Sequence, residues 1–163
     1  MIAEPEWLIE GEIPADPIFG LDTKSNKMSV WVVDNNGAYI ERIVGALAAK
    51  GQTLQDFEYV LLNLKTVASI GIKILQIAGR CPDKDLNKLH RDLDEISGQK
   101  LLKVTQFTVE KLLQGEANLV DRIPRKTVAK YIQNSINKGF IDPVDITPNV
   151  LEKAQSVLEK GQM

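Results

Sequence analysis

At 163 residues, with 44% hydrophobic and 26% charged side chains and a formal net charge of −2, the chain has the make-up of a folded globular protein. That composition excludes a disordered chain and supplies no overall drive toward nucleic acid or anionic membrane, in keeping with an isoelectric point near 5.5. A single cysteine, Cys81, excludes an internal disulfide and suits a reducing compartment.

The N-terminal stretch "MIAEPEWLIEGEIP" has neither a basic n-region nor an apolar h-region, so no secretory signal is expected. Within it, "WLIEGEI" sets Trp7, Ile9, Gly11 and Ile13 against Glu10 and Glu12, the period-two mark of a strand wet on one face. Residues 14–27 then form a long connection rich in turn residues, with Ile18 and Phe19 as candidate contact residues. "MSVWVVD", apolar on both faces and β-branched, predicts a central strand. The turn "DNNG" follows, and a helix N-terminus behind it is the best place in the sequence for a small anion, although Asp34, Asn35 and Asn36 are equally ordinary turn and capping residues.

Ile40, Ile43, Val44 and Leu47 form an i, i+3, i+4, i+7 stripe for a helix over 37–50, with Glu41 and Arg42 pointing away. "FEYVLLNL" reads as a third strand, with a helix as the alternative. Further helices are expected over 65–78, 83–97, 99–114, 124–138 and 148–160. Leu86, Leu89, Leu93 and Ile96 stripe the third of the six. Leu101, Val104 or Thr105, Thr108, Val109, Leu112 and Leu113 stripe the fourth. The last opens with Thr147 as N-cap and Pro148 at the first helical position, and carries Val150, Leu151, Ala154, Val157 and Leu158 on one side. Six glycines (Gly51, Gly79, Gly98, Gly115, Gly139 and Gly161) follow these segments, as expected where a helix ends in a left-handed residue. The most apolar window, 59–79, is interrupted by Lys65 and Lys73 and falls short of a membrane span.

The fold class that results is α+β and mostly helical: a small N-terminal sheet of two or three strands, then a C-terminal bundle of about four to five helices. Residues 1–64 form the α+β part and residues 65–163 the helical part, within one compact unit.

Catalytic patterns are sparse. His90-Arg91-Asp92-Leu93 superficially matches a kinase catalytic loop, yet no glycine-rich loop, strand lysine or Asp-Phe-Gly accompanies it. His90 and Asp94 instead sit four apart on a charged helix surface, together with Asp83, Asp85, Asp92 and Glu95. One His and one Cys do not make a structural zinc site, and nothing around Cys81 lowers its pKa. No enzyme activity, cofactor or metal is expected.

Charge is distributed unevenly. Residues 1–60 carry ten acids and four bases, whereas 122–163 carry four acids and seven bases. The clearest concentration is "RIPRKTVAKYIQNSINKGFI", residues 122–141, with five cations and no acid. On a helix, Val128, Tyr131, Ile132, Ser135 and Ile136 face inward and Phe140 and Ile141 continue into the core. Lys126, Lys130, Gln133, Asn134 and Asn137 face out. The candidate contact residues are therefore Arg122, Arg125, Lys126, Lys130, Gln133, Asn134 and Lys138, side chains suited to phosphates, base edges or a carboxylate-bearing surface. The pattern Arg125-Lys126-Thr127-Val128 to Lys138-Gly139-Phe140-Ile141 resembles, over about twenty residues, the recognition-helix segment of winged helix-turn-helix proteins, a resemblance that implies nucleic-acid binding.

The expected function is that of a non-enzymatic, cytoplasmic protein-interaction or regulatory module. Its partner is another protein with an acidic surface or a second copy of itself, without membrane contact. Nucleic-acid binding through residues 124–141 is the alternative.

Overall fold

The computed structural model describes residues 25–33, 39–113 and 120–160. The expected strand at 7–13, loop residues 14–24, the turn at 34–38, Gly115 and Gly161 lie outside them. Among the described residues there are five α-helices, two short 3₁₀ turns and two small sheets, an α+β fold that is mostly helical. No helix among them is long and apolar enough to cross a membrane. The chain divides into two compact units that alternate along the sequence, so that 1–64 and 65–163 each contribute to both.

The first unit gathers residues 1–30, 58–75 and 92–122. Strand β1 (Met28–Trp31) and strand β3 (Lys73–Leu75) flank strand β4 (His90–Asp94) in a three-stranded sheet, while β2 (Phe57–Val60) pairs with β5 (Val120–Ile123) in a separate two-stranded one. Strands β3 and β4 run antiparallel, with Ile74 opposite Leu93 and Lys73 opposite Asp94. Helix α2 (Leu64–Ser69) and helix α3 (Gly98–Leu113) complete the unit. Its core joins Val67, Ile72, Leu93, Ile96 and Val104. The inward face of α3 is as expected at Val104, Thr105, Thr108 and Val109, all buried. The two threonine hydroxyls donate back to the carbonyls four residues earlier, so neither is left bare.

Two expected helices are corrected here. The helix over 65–78 ends after one and a half turns, because Gly71 adopts φ +80° and the amide of Gly71 closes on Ala68. Behind it Ile72 and Ile74 resume as extended chain. Asn63 caps the short helix, its side-chain oxygen accepting from the amides of Lys65 and Thr66.

The helix over 83–97 does not form. Its apolar stripe is buried as anticipated at Leu86, Leu93 and Ile96, but as a 3₁₀ turn (Leu86–Leu89) followed by β4. On a strand, His90 and Leu93 fall on opposite faces, and both are buried. Asp92 and Asp94 follow His90 on its face and are half-buried. Ser29 of β1 donates to Asp92, and Lys27 pairs with Asp94 at 3.4 Å. The Glu95 amide, donating to Asp94 and helped by Lys27 and Lys73, holds that carboxyl below the usual range. The helical stripe at i, i+3, i+7 and i+10 is thus met by a turn and a strand, and His-Arg-Asp-Leu-Asp, with one apolar residue in five, carries no alternation that would have marked the strand.

The second unit gathers residues 31–57, 76–91 and 123–163. Helix α1 (Ile40–Ala49) and helix α5 (Pro148–Glu159) both pack against helix α4 (Arg125–Asn137). Val44, Ala46, Ala49, Val128, Ala129, Ile132 and Val150 are essentially removed from solvent. Burying such side chains contributes roughly 1.5–3 kcal/mol for each large one. Helix α5 spends its apolar side on its own unit, with Val150 and Ala154 buried. Thr147 occupies the N-cap with Pro148 behind it, but its hydroxyl makes no cap. Its amide instead donates to Ala49 at 2.9 Å. Of the glycines expected to end helices, Gly139 (φ +69°) does so as read: Phe140 donates to Ser135 and Gly139 to Ile136, the paired bonds of a Schellman ending. Gly51, Gly79 and Gly98 are not in the left-handed region, and Gly98 opens α3.

Candidate functional site: the outer face of helix α4

Helix α4 follows strand β5 with Pro124 alone between them. It starts with an unusual cap: the amide of Arg125 donates to the Asp56 carboxylate at 2.8 Å, so an acid from the β2 approach satisfies an orphan N–H. Of the side chains expected inward, Val128, Ile132 and Ser135 are buried, Ile141 is buried beyond the Schellman ending, and Tyr131, Ile136 and Phe140 are half-buried; Ala129, which the stripe did not include, is buried as well.

The outward side chains are also those foreseen, and Arg122, ahead of the helix, sits exposed on β5. Arg125, Lys126, Lys130, Asn134 and Lys138 are exposed and Gln133 is half-exposed. Lys126, Lys130, Asn134 and Lys138 follow one another at four-residue intervals and make a single ridge. Among the described residues, the ammonium groups of Lys126, Lys130 and Lys138 and the guanidinium of Arg125 enter no ion pair, and α4 itself contains no acid.

The amides on the same face are already engaged. Gln133 donates to Asn137 at 2.9 Å, and Asn134 donates to Glu41 of α1 at 2.9 Å. This second bond brings one carboxylate up to the middle of the cationic ridge.

A second cluster in the same unit escaped the sequence reading. Arg42 does not point into water. Its guanidinium grips the Asp83 carboxylate with three contacts of 2.7–2.9 Å, lies 3.7 Å over the Phe140 ring, and reaches Asp85 at 3.8 Å. Asp83, read as part of a charged helix surface, is 1% exposed. Its Oδ1 also accepts from the amides of Asp85 and Leu86, which shapes the turn ahead of the 3₁₀ segment. One side chain thus ties α1, the 81–86 turn and the end of α4 together. The arrangement is a structural clamp. The motif "CPDKD", a proline followed by an Asx-type turn residue, was the available signal, because Asp there commonly bonds its own backbone two or three residues on.

His90 and Cys81 take no part in the α4 face. His90 is buried on β4, its Nδ1 2.8 Å from the Ile77 carbonyl and its ring edge-on to Trp31 at 4.7 Å, so the expected exposed pairing with Asp94 is corrected. Cys81 is buried, and its Sγ donates to the Asp83 carbonyl at 3.2 Å. Burial pushes the thiol pKa up. The raised value means that folding favours the neutral thiol fully below its ordinary pKa, and that this contribution is lost as pH rises through the folded value. Cys81 is therefore expected to resist a water-soluble thiol reagent at pH 8 in the native protein and to react rapidly in denaturant. Fast native-state labelling would contradict the burial. Among the described residues, no group of three or more His, Cys, Asp or Glu side chains converges as a metal site.

Helix α4 is preceded by a strand, and the next helix, α5, lies beyond a ten-residue connection from Lys138 to Thr147 containing the 3₁₀ turn Pro143–Asp145. A helix-turn-helix joins its helices through about three or four residues. Set beside known proteins, the chain matches no family model, no curated protein and no solved structure, so what the α4 face does is read from its own residues.

Proposed function

We propose that this protein is a non-enzymatic interaction module of the cytoplasm, and that the outer face of α4 is its contact surface for an acidic protein. The observation that carries this reading is the ridge of cations that form no ion pair among the described residues, Lys126, Lys130 and Lys138 with Arg125 beside it, on a helix whose other side is committed to α1 and α5. Unpaired surface cations cost little to keep and attract carboxylates over roughly a Debye length of 8–10 Å.

The engaged amides favour a protein over a nucleic acid. Base-edge reading by Asn or Gln is bidentate, and Gln133, Asn134 and Asn137 each already hold a hydrogen bond inside the molecule.

Charge reversal at Lys126→Glu with Lys130→Glu is expected to leave the unfolding midpoint unchanged within about 0.5 kcal/mol, since both side chains are exposed. Tagged wild-type protein should recover a protein partner from its host lysate in a salt-sensitive, nuclease-resistant manner, and the double variant should not. Equal recovery by both would remove the α4 face from consideration. A steeply salt-dependent mobility shift with duplex DNA, lost in the same variant, would replace this reading with nucleic-acid binding.

A further inference from the structure

Resting on that reading of the α4 face, we propose that the bound element is a helix of the partner, laid along α4 and presenting carboxylates at four-residue spacing. Two features of the face argue for it. The first is that the face is the convex side of a helix whose backbone N–H and C=O groups are spent internally, and whose outward amides hold each other or Glu41. An extended peptide laid there would find no partner for its own backbone groups, whereas a helix brings them already satisfied. The second is the linear order of the charges. Lys126 and Lys130 stand one four-residue step apart, about 6 Å along the axis, and Lys138 stands two further steps on, about 12 Å. A stripe of Glu or Asp at positions i, i+4 and i+12 of a partner helix places one carboxylate opposite each ammonium, and the second step of that stripe, facing Asn134 and Glu41, is left uncharged. A carboxylate at i+8 would meet Glu41, so the ridge specifies a gap as well as charges.

Three synthetic peptides of identical composition test this with the intact protein. One carries Glu at i, i+4 and i+12 on a helical face, one has the same Glu residues scattered around the helix, and one carries a helix-breaking proline order. Fluorescence anisotropy at low and physiological salt reads binding, and circular dichroism reads helix content. The striped peptide is expected to bind about tenfold tighter than the scattered one, to gain helix on binding, and to lose that advantage with Lys126→Glu/Lys130→Glu but not with Lys126→Arg/Lys130→Arg.

Equal binding of all three peptides would overturn the helical partner while leaving an acidic protein surface as the target. Binding of none, alongside preferential binding of duplex DNA, would overturn both. Adding a fourth Glu at i+8 should weaken the striped peptide, and recovery of that loss in a Glu41→Gln protein would assign the gap to Glu41.

Discussion

Replacing Arg42 with alanine is expected to cost the second unit about 3–5 kcal/mol, a large part of the stability of a chain this size. The substitution strands Asp83, a carboxylate that is 1% exposed and keeps only two backbone amides as partners. It also removes the cation stacked 3.7 Å from the Phe140 ring, so the 81–86 turn and the end of α4 lose their shared tether to α1. Asp83→Ala should cost somewhat less, because the half-buried guanidinium keeps Asp85 at 3.8 Å and the Phe140 ring as partners. Removing both charges together should cost clearly less than the sum of the single losses, because most of each penalty is an uncompensated buried charge and not the net worth of the pair. Urea unfolding of the two single variants and the double variant measures this directly. A loss below about 1 kcal/mol for Arg42→Ala would mean that the pair behaves as a surface ion pair.

Gly45→Leu is expected to disrupt the packing of α1 on α4, with a loss of about 3 kcal/mol or more and a broadened unfolding transition. Gly45 is buried in the middle of α1, and a Cβ there would meet the Tyr131 carbonyl oxygen at 3.1 Å, its carbon at 3.2 Å and Ser135 Oγ at 3.3 Å. Two of those three neighbours are backbone, which no rotamer change relieves. Gly45→Ala divides the effect into parts: alanine raises helix propensity by about 1 kcal/mol but requires the helices to part by a few tenths of an ångström. A small net change is therefore expected for alanine and a large one for leucine. Near-equal stability of wild type and Gly45→Leu would show that the two helices do not meet at this point.

Helix α1 shows where the sequence was and was not legible. Ile43 and Val44 were placed inward by their spacing, but Ala46, Ala49 and Gly45 are as deeply buried and carried no hydrophobic signal of their own. Small residues in "VGALAA" mark close approach, and only the partner helix says so. The α4 face was read almost completely, since one continuous amphipathic pattern settled which side chains point out. What it missed were the hydrogen bonds that engage Gln133, Asn134 and Asn137, because their partners are set by which side chains come to lie beside them. At 83–97 the apolar positions suited a helix and a turn-plus-strand equally. Pairing of Leu93 with Ile74 across β4 and β3, 19 residues apart in sequence, selected the strand.

The sequence by itself determined the mostly helical α+β class, the inward and outward faces of α3, α4 and α5, and the point where α4 ends at Gly139. Those features depend on periodicity and on backbone preferences within a few residues, which the order of amino acids carries directly. Only the tertiary structure decided that Arg42 and Asp83 form a buried clamp, that His90 lies on a strand, and that Gly45 lets α1 approach α4. Each of these depends on which distant segment arrives opposite, and desolvation of a charge or contact with a facing backbone exists only once it has arrived.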